Sequence, residues 1–430
     1  MPRYDSLNAW LSWLEGYHPR TIDLGLERAV GVFKALNPEA LKPPTIIVAG
    51  TNGKGSSIAF LEAIYRAQGY RVGAYTSPHI LKYNERIRIE GQEVADAAIC
   101  QAFERIDAVR EEVSLSYFEF GTLAALDIFS RANLDIQLLE VGLGGRLDAV
   151  NIIDGNVSLV TSICIDHIDW LGETREAIGH EKAGIFRTAV PAIVGDTKPP
   201  YSLLESAREI QAPLFCIGQE FNYKVNIDGR WDWSSEVSNQ PDKAIAYRYL
   251  PAPALKGKHQ YGNAATVLMA ITQMQKLLPV SEASIHQGLK STQLNGRFQL
   301  IEGDIPVLLD VAHNPQAVTA LLSYLKDIFP DKRIIALFSM MKDKDISAVI
   351  EIIKPVISHW YFAPLSISRA ASETFVRECF AQCNIKNVTL GNNNCAEAFK
   401  LAKDNAQAGD LILVFGSFFL VSKVLAEFEK

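Results

Sequence analysis

Val48-Ala49-Gly50-Thr51-Asn52-Gly53-Lys54-Gly55-Ser56-Ser57 decides how the first half of this chain folds. It continues the apolar run Thr45-Ile46-Ile47-Val48 and leads into a segment of helical period, Ile58 to Gln68. A strand, a glycine-rich turn and a helix together aim backbone N–H groups and a positive helix end at a phosphate chain. The loop departs from the usual pattern G-x-x-x-x-G-K-[ST]. Val48 stands where the first glycine belongs, and Gly55 replaces the hydroxyl that ordinarily meets magnesium. Such a loop must draw its metal ligand from another part of the chain.

Working outward, 430 residues exceed one core of ordinary size, so two domains are expected. A composition of 48% hydrophobic and 21% charged residues fits a soluble globular enzyme and argues against disorder. The net charge of −7 gives no basis for a nucleic-acid or membrane partner. Six cysteines are scattered without a C-x-x-C pair, and Cys379 and Cys383 lie one helical turn apart as face neighbours. That usage fits a reducing compartment. The N-terminus carries no apolar signal region and no run spans a bilayer, so a cytoplasmic monomer is expected.

Apolar runs at Thr45–Val48, Arg71–Tyr75, Ile136–Leu139, Val157–Ile163 and Ala192–Val194 alternate with helical segments. That alternation predicts an α/β fold with a mostly parallel sheet. The more polar stretch from Phe215 to Tyr249 reads as a small antiparallel excursion, after which a helix runs from Asn263 to Lys276. Around Gly296 the pattern begins again, with strands at Val307–Leu309, Ile334–Phe338, Trp360–Ala363, Val388–Leu390 and Leu411–Phe415. The expected division is a phosphate-loop mononucleotide domain over 1–296 and a smaller Rossmann-like domain over 297–430.

Ligands of open α/β sheets bind outside the carboxyl ends of the strands. There the sequence places Lys54, then Thr76-Ser77-Pro78-His79, then Glu140, then Asp166-His167. If these strands are neighbours, Ser77, Glu140 and His167 converge on the phosphates and supply the missing metal ligands. Glu140 is the strongest of the three, since a carboxylate ending a buried run is costly unless paired or metal-bound. Lys182, in His180-Glu181-Lys182-Ala183-Gly184, reads from its surroundings alone as a solvated helix lysine. In the second domain Asp310 and His313 end a strand, while Asn314 ahead of Pro315 has the spacing of a helix cap.

The ordered motifs resemble the folylpolyglutamate synthase family of the Mur-ligase superfamily, specifically its bifunctional bacterial branch. They are Thr21–Arg28 (TIDLGLER), Gly50–Ser56 (GTNGKGS), Thr76–His79, Tyr117–Gly121 (YFEFG), Glu140–Asn151 (EVGLGGRLDAVN) and Asp166–Gly172 (DHIDWLG). Further on come Glu181–Arg187 (EKAGIFR), Asn263-Ala264-Ala265, Gly296–Gln299 (GRFQ), Asp310–Pro315 (DVAHNP) and Gly416-Ser417-Phe418. The resemblance runs nearly end to end, with Pro199–Tyr249 as the variable part.

It implies an ATP-dependent ligase joining L-glutamate to dihydropteroate and to reduced folates, with ATP held across a cleft between domains. Gly53, Lys54, Gly55 and Ser56 would cradle the phosphates, and Asn263, Arg297 and Asp310 would contact ATP. Ser77, Glu140 and His167 would serve two Mg2+ ions, with a monovalent cation as a further candidate. Lys182 would be carbamylated, and Lys54, Lys182 and His313 would be the catalytic groups. The dihydropteroate pocket would comprise Asp23, Leu24, Gly25, Leu26, Phe118, Glu119, Phe120, Gly121, Leu147, Asp148 and Ala149. In it Phe118 and Phe120 would pack on the flat pterin, although core packing suits both rings equally, and Asp148 would accept ring N–H groups. Folylpolyglutamate synthase activity alone, or another Mur-type amide ligase, are the alternatives. A regulatory nucleotide switch needs a hydroxyl directly after Lys54 and is excluded by Gly55.

Overall fold

The computed structural model describes residues 3–20, 22–36, 43–235 and 244–429. Thr21, which opens the first quoted motif, lies outside the described residues. Two compact units divide the chain. Residues 1–79, 83–254 and 260–293 form the first, and residues 80–82, 255–259 and 294–430 the second. Gly296 already belongs to the second unit, where its N–H is held by Gln299 Oε1 at 2.9 Å and its carbonyl accepts from Val311 at 3.1 Å. Ile80 groups there because its side chain sits in that unit's core.

The first unit is built on Thr45–Ala49 (β1), Val72–Tyr75 (β2), Ile87–Ile89 (β3), Gln92–Glu93 (β4), Ile136–Glu140 (β5), Val157–Val160 (β6), Ala192–Val194 (β7) and Leu214–Cys216 (β8). They form one sheet in the order β4-β3-β2-β5-β1-β6-β7-β8. From β2 to β8 the pairings are parallel, and β3 and β4 add an antiparallel edge. β1 and β5 are buried at every position, as continuous apolar runs of a sheet covered on both faces require. From β1 the chain proceeds to one side through β2 and β5 and to the other through β6. The carboxyl end of β1 is therefore the switch point at which such sheets take ligands. Register sets the neighbours at that edge: Val48 pairs with Glu140 and with Leu159, and Tyr75 with Leu139.

The excursion in this unit is a three-stranded antiparallel sheet of Phe221–Val225 (β9), Trp231–Ser235 (β10) and Ile245–Leu250 (β11). Trp231 and Trp233 alternate inward on β10, and Trp233 Nε1–H donates to the Ala265 carbonyl at 3.0 Å. That bond seats the small sheet on the helix His259–Met274.

The second unit contains Gln299–Ile301 (β12), Val307–Asp310 (β13), Ile334–Phe338 (β14), Ile357–Phe362 (β15), Val388–Thr389 (β16) and Leu411–Phe415 (β17), ordered β12-β13-β17-β14-β15-β16. Only β12 is antiparallel to its neighbour. Strand alternation gives two cores. Leu411, Leu413 and Phe415 enter one, while Ile412 and Val414 enter the other. The expected strands appear with ends shifted by a few residues. β3, β4 and β12 were not expected, and β8 draws Phe215, the expected start of the antiparallel excursion, into the main sheet parallel to β7.

Candidate active site

The phosphate loop is shaped by two close approaches. Gly50 takes φ 141°, and a Cβ there would stand 1.8 Å from Thr161 Oγ1, so only glycine fits. Gly53 caps the helix Lys54–Gln68 in the left-handed region at φ 96°, and no side chain bonds the cap. A Cβ on Gly53 would lie 2.6 Å from Asn263 Oδ1, which places Asn263 directly on the loop. The helix begins at Lys54 rather than Ile58, so Gly55 and Ser56 belong to its first turn. Their amides point where a phosphate needs donors.

Two lysines meet on one carbonyl. Lys54 Nζ donates to the carbonyls of Gly50 at 3.1 Å and Thr51 at 3.2 Å, and Lys182 Nζ donates to Gly50 at 3.0 Å. Lys182 is 4% exposed, which overturns its reading as a solvated lysine. Burial, with the Lys54 charge beside it, lowers its pKa to about 7. The helix Arg175–Ala183 carries it in, and Gly145 lets the backbone close on the carbonyls of Glu181 and Lys182.

Glu140 ends β5 and is buried, and the Ser77 N–H donates to its Oε2 at 3.3 Å. The structure thus brings Ser77 and Glu140 together beside the phosphate loop. His167 starts the short helix Ile168–Leu171 at φ 53°, after a loop whose Cys164 N–H donates to Thr51 Oγ1 at 3.1 Å. Among the described residues no three His, Cys, Asp or Glu side chains gather as a metal-binding group. A set of one carboxylate, one imidazole and one hydroxyl fits magnesium only with phosphate and water completing the shell. The buried Glu140 supplies the hard oxygen that such a shell needs.

The three segments expected to form the pterin pocket lie together. Gly25 N–H donates to the Leu147 carbonyl at 3.3 Å, and Arg28 bonds both Asp23 and Glu119. Leu24, Gly25, Leu26 and Leu147 are half-buried, whereas Ala149 is buried at the start of a 3-10 turn. Phe118 stacks its ring against the Gly142 backbone, where a Cβ would be 2.5 Å away, and neighbours Tyr75.

One expectation is corrected. Phe120 is fully buried among Trp10, Trp13 and Phe103, because Tyr117–Arg131 is a helix that turns it into the aromatic core. It cannot lie on a pterin. Asp148 already accepts the N–H groups of Leu143 at 2.8 Å and Val150 at 2.9 Å, so its carboxylate first holds its own loop. Burial pushes its pKa up to about 6 against those bonds. Glu119 closes a capping box with Ser116, and Gly121 makes room for the Tyr83 hydroxyl.

In the second unit Arg297, Asp310 and His313 cluster at the sheet edge. Asp310 divides its oxygens between the N–H groups of Phe298 at 3.0 Å and Ala312 at 2.8 Å, and burial raises its pKa to about 6 although Arg297 opposes this. The Arg297 guanidinium lies 5.0 Å over the Phe418 ring. His313 Nδ1 is 2.8 Å from the Val311 carbonyl, so that nitrogen carries the proton. Asn314 caps the helix Pro315–Ile328 as its spacing indicated.

Sequence reasoning missed Gln260, which is buried, donates to Ser56 Oγ at 3.3 Å and accepts from Asn263 at 2.9 Å. Its position three residues before Asn263 on one helix was the available signal. It also missed Arg175 and Asp196, which clamp Ile163 below the loop bearing His167. No local pattern marks that pair.

Comparison with known proteins adds independent findings. Residues 296–418 match the model of the Mur ligase glutamate ligase domain. The chain is 43% identical over 423 residues to the dihydrofolate synthase/folylpolyglutamate synthase of Escherichia coli K12, covering 97% of this chain and 94% of that protein. The structure of E. coli FolC in complex with DHPP and ADP superposes with a TM-score of 0.91 at 42% identity, over 99% of this chain and 98% of that one. A bifunctional folylpolyglutamate synthase/dihydrofolate synthase from Yersinia pestis, complexed with AMPPNP and a Mn ion, gives a TM-score of 0.89 at 40% identity, over 99% and 98%.

Proposed function

The chain belongs to the dihydrofolate synthase/folylpolyglutamate synthase family, and from that premise we propose how its residues carry out the reaction. It is an ATP-dependent carboxylate–amine ligase that adds L-glutamate to dihydropteroate and to reduced folates. A carboxylate oxygen of the acceptor attacks the γ-phosphorus of ATP, the bond to the β-phosphate oxygen breaks, and ADP leaves. The α-amine of glutamate then attacks the acyl carbon of the acyl phosphate. Inorganic phosphate departs, the nitrogen loses a proton and an amide remains.

The observation that carries this reading is the pair of amines on the Gly50 carbonyl. Lys54, at the uncapped helix start, would neutralise charge on the transferred phosphoryl group. Lys182, with a pKa of about 7, holds a neutral amine in useful amount at physiological pH. A neutral amine can add to CO2 and release one proton, which yields the carbamate. Gly53, Gly55, Ser56 and Asn263 surround the phosphates in this reading, with Arg297 and Asp310 as further ATP contacts and His313 as a catalytic group. Ser77, Glu140 and His167 would hold two Mg2+ ions, which when bound supply charge neutralisation at the β- and γ-phosphates. Phe118, with the segments at 23–26 and 147–149, would receive the pterin. We also propose a cytoplasmic monomer that uses a monovalent cation. The free state of all six cysteines supports a reducing location. No helix among the described residues is long and apolar enough to cross a membrane.

The test incubates purified protein with Mg-ATP and labelled glutamate, offering dihydropteroate or tetrahydrofolate separately. Labelled product is expected with each acceptor. Product with tetrahydrofolate alone would reduce the activity to folylpolyglutamate synthesis, and ADP release without any amide would overturn the reading.

A further inference from the structure

We propose that Arg28 is the positioning residue of the dihydropteroate pocket, tying its separate chain segments into one preformed surface, with His18 fixing the carboxylate that Arg28 grips. This rests on the dihydropteroate reading above and goes beyond it, because neither residue was assigned a role there.

The segment from Ile22 to Gly25 has neither helix nor strand, so no ladder of backbone bonds determines its shape. What holds it is a set of side-chain bonds. Arg28 Nη1 lies 2.9 Å from Asp23 Oδ2, and Nη2 donates to the Asp23 carbonyl at 2.9 Å. The same guanidinium reaches the second segment, with Nε donating to Glu119 Oε1 at 3.2 Å. Glu119 is itself fixed, since its other oxygen accepts the Ser116 N–H at 2.7 Å. His18 braces the opposite side. One ring nitrogen is 3.1 Å from Asp23 Oδ2, and the other is 2.8 Å from Ser114 Oγ. The third segment joins through the Gly25 N–H bond to the Leu147 carbonyl.

An exposed ion pair would contribute little. This one differs in kind, because the planar fork of arginine satisfies a side chain and a backbone carbonyl of one segment and a buried carboxylate of another. A lysine, as a point charge on a flexible stem, cannot reproduce that. Asp23 is held below the usual carboxylate range. Its burial works the other way, and the His18 hydrogen bond and the Arg28 charge outweigh it. The pocket is thus ordered before a ligand arrives, and ligand binding does not bear the ordering cost.

The test compares Arg28→Ala, Arg28→Lys and His18→Ala with the parent, measuring KM for dihydropteroate, KM for ATP, kcat and unfolding temperature. Arg28→Ala is expected to raise KM for dihydropteroate about tenfold or more, as loss of charge-assisted hydrogen bonds implies, with KM for ATP within about twofold. Arg28→Lys should rise nearly as far, and His18→Ala in the same direction by less. If Arg28→Ala does not fold, the other two variants carry the comparison. Full rescue by lysine, an unchanged KM for dihydropteroate, or an equal rise in KM for ATP each overturn the proposal. A parent that forms no dihydrofolate overturns the functional reading and this inference with it, whereas an active parent with unaffected variants overturns the inference alone.

Discussion

The two sheets of this chain differ in how they close the helices that follow their strands. In the second unit the helices Pro315–Ile328, Ile346–Ile353, Glu373–Gln382, Cys395–Asp404 and Phe418–Leu425 are each capped by a side chain of their own: Asn314, Asp345, Ser372, Asn394 and Ser417. In the first unit the helix after β1 starts at a glycine and has no such cap. A capping oxygen occupies the amides an anion would otherwise take. Both units end their strands in polar residues. A missing cap alone does not single out a ligand end, since Asp96–Val109 and Tyr201–Glu209 of the first unit also start without one; at Lys54 the open start coincides with the glycine loop and the two lysines on Gly50. Asp310 is committed to two backbone N–H groups, while Glu140 sits beside the open loop.

The largest expected effect comes from removing the charge at the open end. Lys54→Ala should lower turnover on the order of 10²-fold or more, by analogy with the loss of one preorganised donor. Labelled-glutamate incorporation in a variant of unchanged unfolding temperature measures it, and near-parental turnover would break the contrast between the units. Closing the end is the reverse experiment. Gly53→Ser supplies a capping hydroxyl, but it must adopt φ 96° and press against Asn263. An increase in KM for ATP of about tenfold is expected. If that variant kept the parental KM, the missing cap would have no bearing on phosphate binding.

A pH experiment sharpens the comparison through Lys182. Its pKa falls from 10.5 to about 7 on folding. Below pH 7 the lysine is charged in both states, and the native protein bears the whole cost of a buried cation. Between pH 7 and 10.5 the unfolded chain keeps a proton that the native state has released, so unfolding free energy rises with pH. In bicarbonate-free buffer, Lys182→Met should remove that rise. Urea denaturation at several pH values reads it, and an identical slope in the variant would show that the amine is not buried as a neutral group.

Much of this was legible in the sequence, for particular reasons. β1 and β5 are continuous apolar runs, and their ends fixed Lys54 and Glu140 at the ligand edge. Asn314 followed by Pro315 announced its own cap. Lys182 was misread by its local context, since a helix made largely of polar residues gives no sign that one of them is pressed onto a distant carbonyl. The role proposed for it came only through the resemblance. Phe118 and Phe120 are two residues apart, and only the helix geometry separates the ring that faces Gly142 from the one in the core. Gln260 and Arg28 act through partners far along the chain, at Ser56 and Glu119, which no local pattern encodes. The short strands β3, β4, β8 and β12 are edge or near-edge elements whose pairing comes from neighbours already in place.

The smallest expected effect tests the capped unit. Ser372 Oγ accepts the Phe375 N–H at 3.3 Å at the start of Glu373–Gln382. Ser372→Ala should cost about 1 kcal/mol of stability, the usual value of a lost N-cap, and leave turnover unchanged. The two readouts have to separate, because a capping oxygen that serves only its own helix has no ligand to lose. Chemical denaturation gives the first and labelled-glutamate incorporation the second. Should turnover fall with stability held constant, the side-chain caps of the second unit would no longer mark ends that are closed to substrate. The distinction between an open and a closed helix start would then have to rest on Lys54 alone.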